Sequence, residues 1–240
     1  MSAVLYSVAD GVATLTLNRP ESRNALNLEM CDLLLEYSRR TSSSEDVRLV
    51  LVRANGPVFC AGADLKERQG MSESQVRERR MKGFAAYAAL EALPMPSIAV
   101  LQGPAVGSGC EIAGACDFIV ATPAASFRTP EAIRGTVGAT QRLPRILGKR
   151  LAKDMMFTGR TVTAEEAREA GLIARLVSSP DLETTLEEIK KTILSAPAQS
   201  LRLAKRCIDR GVELGPEGAL AAEIEAIEEQ LAAGTWMGKK

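Results

Sequence analysis

The stretch of sequence that decides the fold is PSIAVLQGPAVGSGCEIAGACDFIV, which occupies residues 96–120. Its apolar runs at residues 98–101 and 118–120 predict two short strands. A turn with three glycines and a helix of small residues, opening near Cys110, separate the two runs. Glycines allow positive φ and let a ligand approach the backbone, while a helix start leaves N–H groups without intrahelical partners. The stretch therefore predicts a strand, loop and helix unit with a binding site at the loop.

The chemistry of this loop is constrained by the motifs that it lacks. A P-loop requires Gly-Lys-Ser/Thr, which is absent, and a dinucleotide fingerprint requires a third glycine where Ile112 stands. A smaller developing anion, such as the oxygen of a polarised carbonyl, suits the free N–H groups better. Glu111 lies within reach of the same space, although an acid in a first helical turn also commonly stabilises the helix dipole.

The overall composition indicates an ordinary globular protein with a sizeable core, since 46% of its 240 residues are hydrophobic and 25% are charged. The chain carries 30 basic and 30 acidic residues. This balance argues against a nucleic-acid or membrane-surface binder, because such proteins carry a basic excess or a basic patch. Neither a membrane-spanning apolar run nor a signal-peptide pattern is present, so we expect a cytoplasmic protein.

Histidine is absent from the chain, which excludes Ser-His and Cys-His nucleophiles together with the commonest metal ligand. The cysteines stand at positions 31, 60, 110, 116 and 207, form no C-x-x-C pair and are odd in number. They predict neither a disulfide framework nor a metal site, and we interpret them as small buried hydrophobic residues. Any catalysis must therefore depend on carboxylates, a lysine or the backbone.

The rest of the chain predicts strands and helices followed by a purely helical region. We expect a hairpin over residues 3–17 that turns at Asp10-Gly11, a second strand, loop and helix start over residues 59–67, and a helix entry at Thr129-Pro130-Glu131. Further predicted elements are helices over 28–40, 72–92, 141–157 and 163–171, and strands over 47–52 and 172–177. From Asp181 onward, apolar residues at helical spacing predict faces that the body or another subunit must cover.

Several motifs, in order along the chain, resemble those of the crotonase (enoyl-CoA hydratase/isomerase) superfamily. They are Asn18-Arg19-Pro20, Asn24-Ala25-Leu26-Asn27, Phe59-Cys60-Ala61-Gly62-Ala63-Asp64-Leu65-Lys66-Glu67, Gly107-Ser108-Gly109-Cys110-Glu111, Pro130-Glu131, Thr140-Gln141-Arg142-Leu143-Pro144 and Ala170-Gly171-Leu172. Each motif alone is weak, but the ordered set is highly specific. The resemblance covers roughly residues 10–210.

The resemblance implies an α/β fold in which a spiral of β-β-α units forms two roughly perpendicular sheets. Residues 1–180 would form this crotonase-like spiral core, with the CoA site and the active site. Residues 181–240 would form a C-terminal helical trimerisation region that builds a homotrimer or a hexamer of two trimers. The chain ends soon after Trp236 without the family's usual final helix, so this region is expected to be truncated or naturally short.

The resemblance also implies a coenzyme A thioester as the ligand, with no separate cofactor and no metal. The backbone N–H groups of Ala63 and Ser108 would hold the thioester oxygen, Glu111 would activate water, and Glu131 would supply the α-proton. Taken alone, Glu131 is also typical of an ordinary first-turn acid. The residues that would contact the substrate and its CoA are Arg23, Ala25, Leu26, Ala61, Asp64, Leu65, Lys66 and Gly107.

Because both carboxylate positions are retained, the resemblance favours an enoyl-CoA hydratase, a lyase that adds water reversibly and syn to a 2-enoyl-CoA. Two departures keep other functions open. Ser108 replaces the middle glycine of the family's usual triple, and residues 136–139 form a shorter loop than hydratases have. The alternatives are an enoyl-CoA isomerase or other acyl-CoA transformation, or a crotonase-like protein that binds acyl-CoA or a protein partner without turnover.

Overall fold

The computed structural model describes residues 2–234, and an N-terminal hairpin begins the fold. Strand β1 (Val4–Ala9) pairs antiparallel with β2 (Val12–Leu17). The turn residues Asp10 and Gly11 have φ of +50° and +77°, which matches the right-handed twist of the two strands. This is the hairpin that the sequence predicts. The chain end at Trp236, which led us to expect a truncated helical region, lies outside the described residues.

The described residues contain further strands and eight α-helices. The strands are β3 (Leu49–Ala54), β4 (Ser97–Leu101), β5 (Pro104–Val106), β6 (Phe118–Ala121), β7 (Ser126–Arg128), β8 (Thr161–Thr163) and β9 (Arg175–Leu176). The helices are α1 (Leu28–Ser42), α2 (Glu73–Glu91), α3 (Ser108–Gly114), α4 (Arg142–Thr158), α5 (Ala164–Glu169), α6 (Leu182–Ser195), α7 (Ala198–Gly211) and α8 (Pro216–Ala232).

The strands form two sheets. The larger has the order β1-β2-β3-β4-β6-β9, and every pair after the hairpin is parallel. The smaller has the order β5-β7-β8. All five residues of β4 are buried, as expected for a parallel strand that is covered on both faces.

Each face of the large sheet contributes to a hydrophobic cluster. On one face, residues of β1 and β2 pack with α1 and α2 in the main core. On the other, Leu182, Leu186 and Ile189 of α6 pack against sheet residues that include Leu49 and Ile98. The apolar face of α6 is therefore covered by its own chain, although it belongs to the helical region that follows Asp181.

Side-chain caps begin three of the helices that the sequence predicts. The Asn27 side chain accepts a hydrogen bond from the N–H of Met30 at 3.0 Å and begins α1. Capping boxes form between Ser72 and Gln75 at α2 and between Thr163 and Glu166 at α5. Each box satisfies two N–H groups that a helix start would otherwise leave free.

Two predicted elements are wrong, and a third is shorter than predicted. Residues 59–67 form neither a strand nor a helix start, only isolated bridges and hydrogen-bonded turns. The Asp64 carboxylate accepts the N–H groups of Lys66 and Glu67, so the chain turns there instead of propagating a helix. After Glu131 there is one 3₁₀ turn, Ala132–Arg134, which ends at Gly135 with φ of +71°. The strand predicted over 172–177 shrinks to β9, which has two residues.

Apolar side chains remain exposed on α7 and α8. Ile208 on α7 is 66% exposed, and Leu220, Ile224, Ile227 and Leu231 on α8 are each about half exposed. Within residues 2–234, none of the helices has both the length and the apolar character needed to cross a membrane.

Candidate active site

The turn that begins α3 leaves no room for a side chain at Gly107 or Gly109. Gly107 has φ of +51°, and a Cβ there would overlap the carboxylate of Glu131. A Cβ on Gly109 would lie 2.5 Å from the carbonyl oxygen of Cys60. The first turn of α3 therefore packs directly on the backbone of residues 59–63, the close approach that glycines permit.

Two free N–H groups belong to the lining of one cavity at this contact. Ala63 forms a parallel bridge with Leu26, but the two hydrogen bonds of this bridge involve the neighbours of Ala63. The Leu26 N–H donates to the Gly62 carbonyl at 2.8 Å, and the Asp64 N–H donates to the Leu26 carbonyl at 2.9 Å. Ser108 is the first residue of α3, so its N–H has no intrahelical partner. Among residues 2–234, no group accepts a hydrogen bond from the N–H of Ala63 or of Ser108.

One cavity of about 550 Å³ brings the main candidates together. Its lining includes Ala61, Ala63, Leu65, Gly107, Ser108, Glu111 and Glu131, all of them expected from the sequence. It also includes the loop of residues 134–139, which contains the shortened segment noted in the sequence, and Tyr87, Phe84 and Arg80 of α2, which the motifs do not indicate. The cavity thus combines two N–H donors with two carboxyl groups.

Glu111 is held by a cation. Its side chain is buried, and its Oε2 accepts a hydrogen bond from Nη1 of Arg142 at 2.7 Å. The other oxygen, Oε1, is buried without a hydrogen-bond partner among the described residues. Arg142 also donates from Nη2 to Glu91 Oε2 at 2.5 Å. Burial alone would lower the pKa of Arg142, but the hydrogen bonds to Glu91 and Glu111 outweigh it, and its pKa lies above the usual value.

Glu131 lies in a different environment. Its carboxylate is confined between Gly107 and Gly138, where a Cβ would be 3.1 Å from Glu131 Cγ. Its Oε2 is buried and has no hydrogen-bond partner within residues 2–234. Burial raises the pKa of Glu131, and the negative charge of Glu111 raises it further, while the charges of Arg134 and Arg80 oppose the shift.

Two residues of α2 complete the cavity wall. Tyr87 is buried, its hydroxyl is hydrogen-bonded to the Ser108 side chain, and burial raises its pKa. Arg80 donates to Thr136 Oγ1 at 3.2 Å and to the carbonyl oxygen of Val137, which fastens the loop beside Glu131 to α2.

The sequence analysis missed Arg142, Tyr87 and Arg80 as site residues. Arg142 is part of the quoted Thr140-Gln141-Arg142-Leu143-Pro144 motif, which was the available signal for it. Tyr87 and Arg80 sit in the long helix α2, where nothing in the local pattern distinguishes a cavity residue from a core or surface residue.

The other expected contact residues lie beside the cavity rather than in its lining. Arg23 has φ of +54°, and its carbonyl accepts the N–H of Ala61 at 3.0 Å. Leu26 is buried next to Ala63, and the Ala25 carbonyl accepts from Arg19. The structure therefore brings this segment close to the cavity wall through backbone contacts.

Lys66 is exposed, whereas Asp64 is buried and its carboxylate is engaged by the protein. Burial raises the pKa of Asp64, but hydrogen bonds from Arg19 and from the backbone of Glu67 and Lys66 outweigh it and lower the pKa below its usual value. Arg19 Nη1 is 2.9 Å from Asp64 Oδ2. In this structure Asp64 fixes the turn that carries Ala63.

Two sheets with this strand order and a cavity lined by the first turn of α3 define a crotonase-like α/β fold. A solved structure supports this class: the crystal structure of enoyl-CoA hydratase from Bacillus anthracis matches with a TM-score of 0.90 and 35% identity, over 94% of this chain and 90% of that one. The model of the enoyl-CoA hydratase/isomerase family matches residues 7–234. The chain belongs to this family.

Curated relatives agree over nearly the full length. The chain is 40% identical over 234 residues to YngF of Bacillus subtilis (strain 168), a protein named for this family, covering 95% of this chain and 90% of YngF. It is 37% identical over 233 residues to the short-chain-enoyl-CoA hydratase of Clostridium acetobutylicum, covering 95% and 89% respectively.

Proposed function

We propose that the protein is an enoyl-CoA hydratase that adds water reversibly to a 2-enoyl-CoA thioester. The observation that carries this proposal is the single cavity in which Glu111 and Glu131 accompany the free N–H groups of Ala63 and Ser108. Family membership supports a thioester of coenzyme A as the substrate.

The two N–H groups would act as an oxyanion hole. When water attacks the β-carbon, negative charge develops on the thioester carbonyl oxygen, and fixed N–H donors stabilise that charge without solvent reorganisation. Ala63 and Ser108 are suited to this role because neither N–H is engaged by the described protein. The Ser108 side chain, which replaces the family's glycine, is hydrogen-bonded to Tyr87.

The two carboxyls would carry the protons. Water loses a proton to Glu111 as its oxygen bonds to the β-carbon, and the α-carbon takes a proton from Glu131. Return of the proton from Glu111 to Glu131 through solvent restores the starting state. The raised pKa of Glu131 supports this division, because it favours the protonated form that can donate to the α-carbon.

The acyl chain has a place to lie. A second cavity, of about 960 Å³, shares Glu111, Phe84 and residues 137–139 with the first. Met81 and Ala88 of α2 also line it, and they make its wall largely apolar. We propose that the chain beyond the β-carbon extends into this second cavity.

Hydration of crotonyl-CoA tests the proposal, because addition of water removes the absorbance of the conjugated thioester. We expect loss of absorbance and a product heavier by one water. The competing activity is double-bond isomerisation, which needs only one carboxyl to move the proton. Arg142 forms an ion pair with Glu111, whereas Glu131 has no ion pair among residues 2–234, so Glu131 would be that carboxyl. Conversion of a 3-enoyl-CoA to a product of unchanged mass, with crotonyl-CoA left intact, would establish the isomerase instead.

A further inference from the structure

We propose that Arg142 is a positioning residue, which fixes the Glu111 carboxylate through its Oε2 so that Oε1, which has no partner among the described residues, serves the reacting water. This inference rests on the proposed hydratase function and assigns a residue that acts through Glu111 rather than on the substrate.

The first argument is geometric. The guanidinium of Arg142 binds Glu111 Oε2 through Nη1 and Glu91 Oε2 through Nη2, and its Cζ lies 5.9 Å from the ring centroid of Tyr87. Three contacts with α2 and α3 therefore fix the orientation of this planar group. Oε2 of Glu111 is therefore occupied by Arg142, whereas Oε1 has no hydrogen-bond partner among the described residues.

The second argument concerns charge. The Glu111 side chain is only 7% exposed, and a buried carboxylate is costly unless a cation and hydrogen bonds compensate for lost water. Arginine keeps its charge at every pH of interest. The other ionisable groups facing this pair are Glu91 and Tyr87 on α2 and Glu131 across the cavity, with Arg80 and Arg134 beside Glu131. Among them, Arg142 is the cation in direct contact with Glu111.

The third argument comes from the placement of Arg142 in its own helix. It is the first residue of α4, and the first turn of that helix has no acidic residue. A cation at a helix N-terminus is unfavourable because the dipole there is positive. The charge of Arg142 therefore destabilises the start of α4, and the carboxylates of Glu111 and Glu91 on other helices compensate for that charge. The contacts of Arg142 thus favour the position of Glu111 over the stability of α4.

The test compares four variants in the full-length protein with crotonyl-CoA. We expect Arg142→Gln to lower kcat by about 10²-fold, the scale for a misplaced catalytic group, while KM changes much less. Arg142→Lys, which keeps the charge but loses the planar fork, should recover part of kcat.

Two variants separate this role from a structural one. Glu91→Gln removes one of the contacts that orient Arg142 but leaves Arg142 beside Glu111, so kcat should fall by less than in Arg142→Gln. Arg150→Gln, at an exposed arginine that follows the kink at Gly148 and has no described ion pair, should behave like wild type. Equal losses in Arg142→Gln and Glu91→Gln, or no recovery of kcat in Arg142→Lys, would overturn the proposal.

A second readout does not depend on turnover. Carbon-13 NMR of glutamate labelled at the carboxyl carbon, with Glu111 assigned through Glu111→Gln, reports the surroundings of this carboxylate directly. We expect the Glu111 resonance to move in Arg142→Gln, because the carboxylate loses its hydrogen bond to the guanidinium, and to stay in place in Arg150→Gln. If wild type hydrates no enoyl-CoA but the resonance behaves in this way, the hydratase function fails while the role of Arg142 stands. If wild type hydrates and the resonance does not respond, the role of Arg142 fails.

Discussion

Glu111 and Glu131 have the same chemical group in two different surroundings. One oxygen of Glu111 accepts a hydrogen bond from the Arg142 guanidinium. Glu131 is confined by two glycines, and its buried Oε2 has no hydrogen-bond partner among the described residues. Carboxyls whose environments differ in this way separate into a proton acceptor and a proton donor. The distinction depends on neighbours that are remote in sequence, since Arg142 is 31 residues from Glu111.

The roles of the two acids predict the effect of removing each. Glutamine is nearly isosteric with glutamate but does not exchange a proton at neutral pH, so Glu111→Gln and Glu131→Gln should each lower kcat by about 10² to 10⁴. Binding of the thioester, measured by calorimetry, should change little. The double variant should lose less than the product of the single losses, because both groups act on one reaction step. Near-normal kcat in either single variant would show that the substituted acid has no catalytic role and only stabilises the start of a helix.

Glu131 also predicts a pH-dependent change in stability. Its pKa lies above the usual 4.5, chiefly because of burial, so its ionisation at neutral pH costs free energy of folding. That cost disappears as the pH falls below 4.5 and the group is protonated in both folded and unfolded chains. Glu131→Gln should therefore melt above wild type at pH 7, with a margin that shrinks on acidification. A margin independent of pH, measured by calorimetry, would contradict this.

The oxyanion hole predicts a specific result at Ala63. Proline there deletes an N–H that makes no hydrogen bond within residues 2–234, while the bridge bonds of Leu26 remain available. Turnover should fall by about 10² to 10³, the range for losing one such donor. Circular dichroism checks that the variant is folded. A folded variant with normal kcat would remove Ala63 from the site.

Motifs in the sequence were sufficient to place Ala63, Ser108, Glu111 and Glu131 in one cavity, because each motif carries its own backbone or side-chain group. They were insufficient for Arg142, whose role exists only through contacts with two other helices. Local pattern could not show that a basic residue at a helix start faces inward, since such residues are ordinarily solvated.

At the scale of elements, the site depends on how closely α3 approaches the segment of residues 59–63. The Val106 N–H donates to Cys60 at 2.9 Å and the Cys60 N–H donates to Pro104 at 3.2 Å, so β5 and this segment are joined just before α3 begins. Gly109 then lies on the Cys60 carbonyl. The spacing of the two N–H donors is therefore set by backbone contact, without an intervening side chain.

This contact predicts opposite effects for two glycines of one helix. Gly109→Ala places a methyl group 2.5 Å from a backbone oxygen and should destabilise the protein by about 1–3 kcal/mol, with a loss of kcat as the two donors separate. Gly114→Ala meets only ordinary contacts at 3.6 Å or more and should be neutral or up to ~1 kcal/mol stabilising. Urea unfolding of both variants tests the pair, and equal stabilities would contradict the packing described.

Long helices are easier to predict from the sequence than short strands. Amphipathic helices such as α1 and α4 span several turns, so their apolar period is visible in the sequence. Strands β5 and β8 have three residues each, too few to display an alternating pattern. Residues 59–67 were misassigned because small residues before an acid suggest a helix start, whereas tertiary bridges and the Asp64 side chain hold them as turns.

At the scale of the whole molecule, the last two helices present an incomplete surface. The apolar face of α6 is covered by the large sheet, but Ile208, Leu220, Ile224, Ile227 and Leu231 of α7 and α8 remain partly exposed. Clusters of this kind on a folded chain commonly mark an interface. We propose that they contribute to a trimer, or to a hexamer of two trimers.

The proposed assembly predicts the molecular mass in solution. Light scattering at micromolar concentration should give three or six times the 25.7 kDa of one chain. Leu220→Asp with Ile227→Asp should shift the mass toward that of a single chain, because a buried charge without a partner disfavours association. Val8→Asp, a substitution at an exposed position on β1, provides the control and should leave the mass unchanged. A stable monomer in wild type would contradict the proposal.

The order of the large sheet has a consequence for how the protein is made. Its strands are arranged β1-β2-β3-β4-β6-β9, in the sequence in which they are synthesised. Each strand that leaves the ribosome therefore finds an open edge formed by strands already present, and no earlier pair has to separate to admit it. Domains fold from the N-terminus during synthesis at about 5–20 residues per second, which leaves seconds between successive strands. We expect the growing chain to acquire its sheet one strand at a time, with α6 closing the second face only after the last strand has docked.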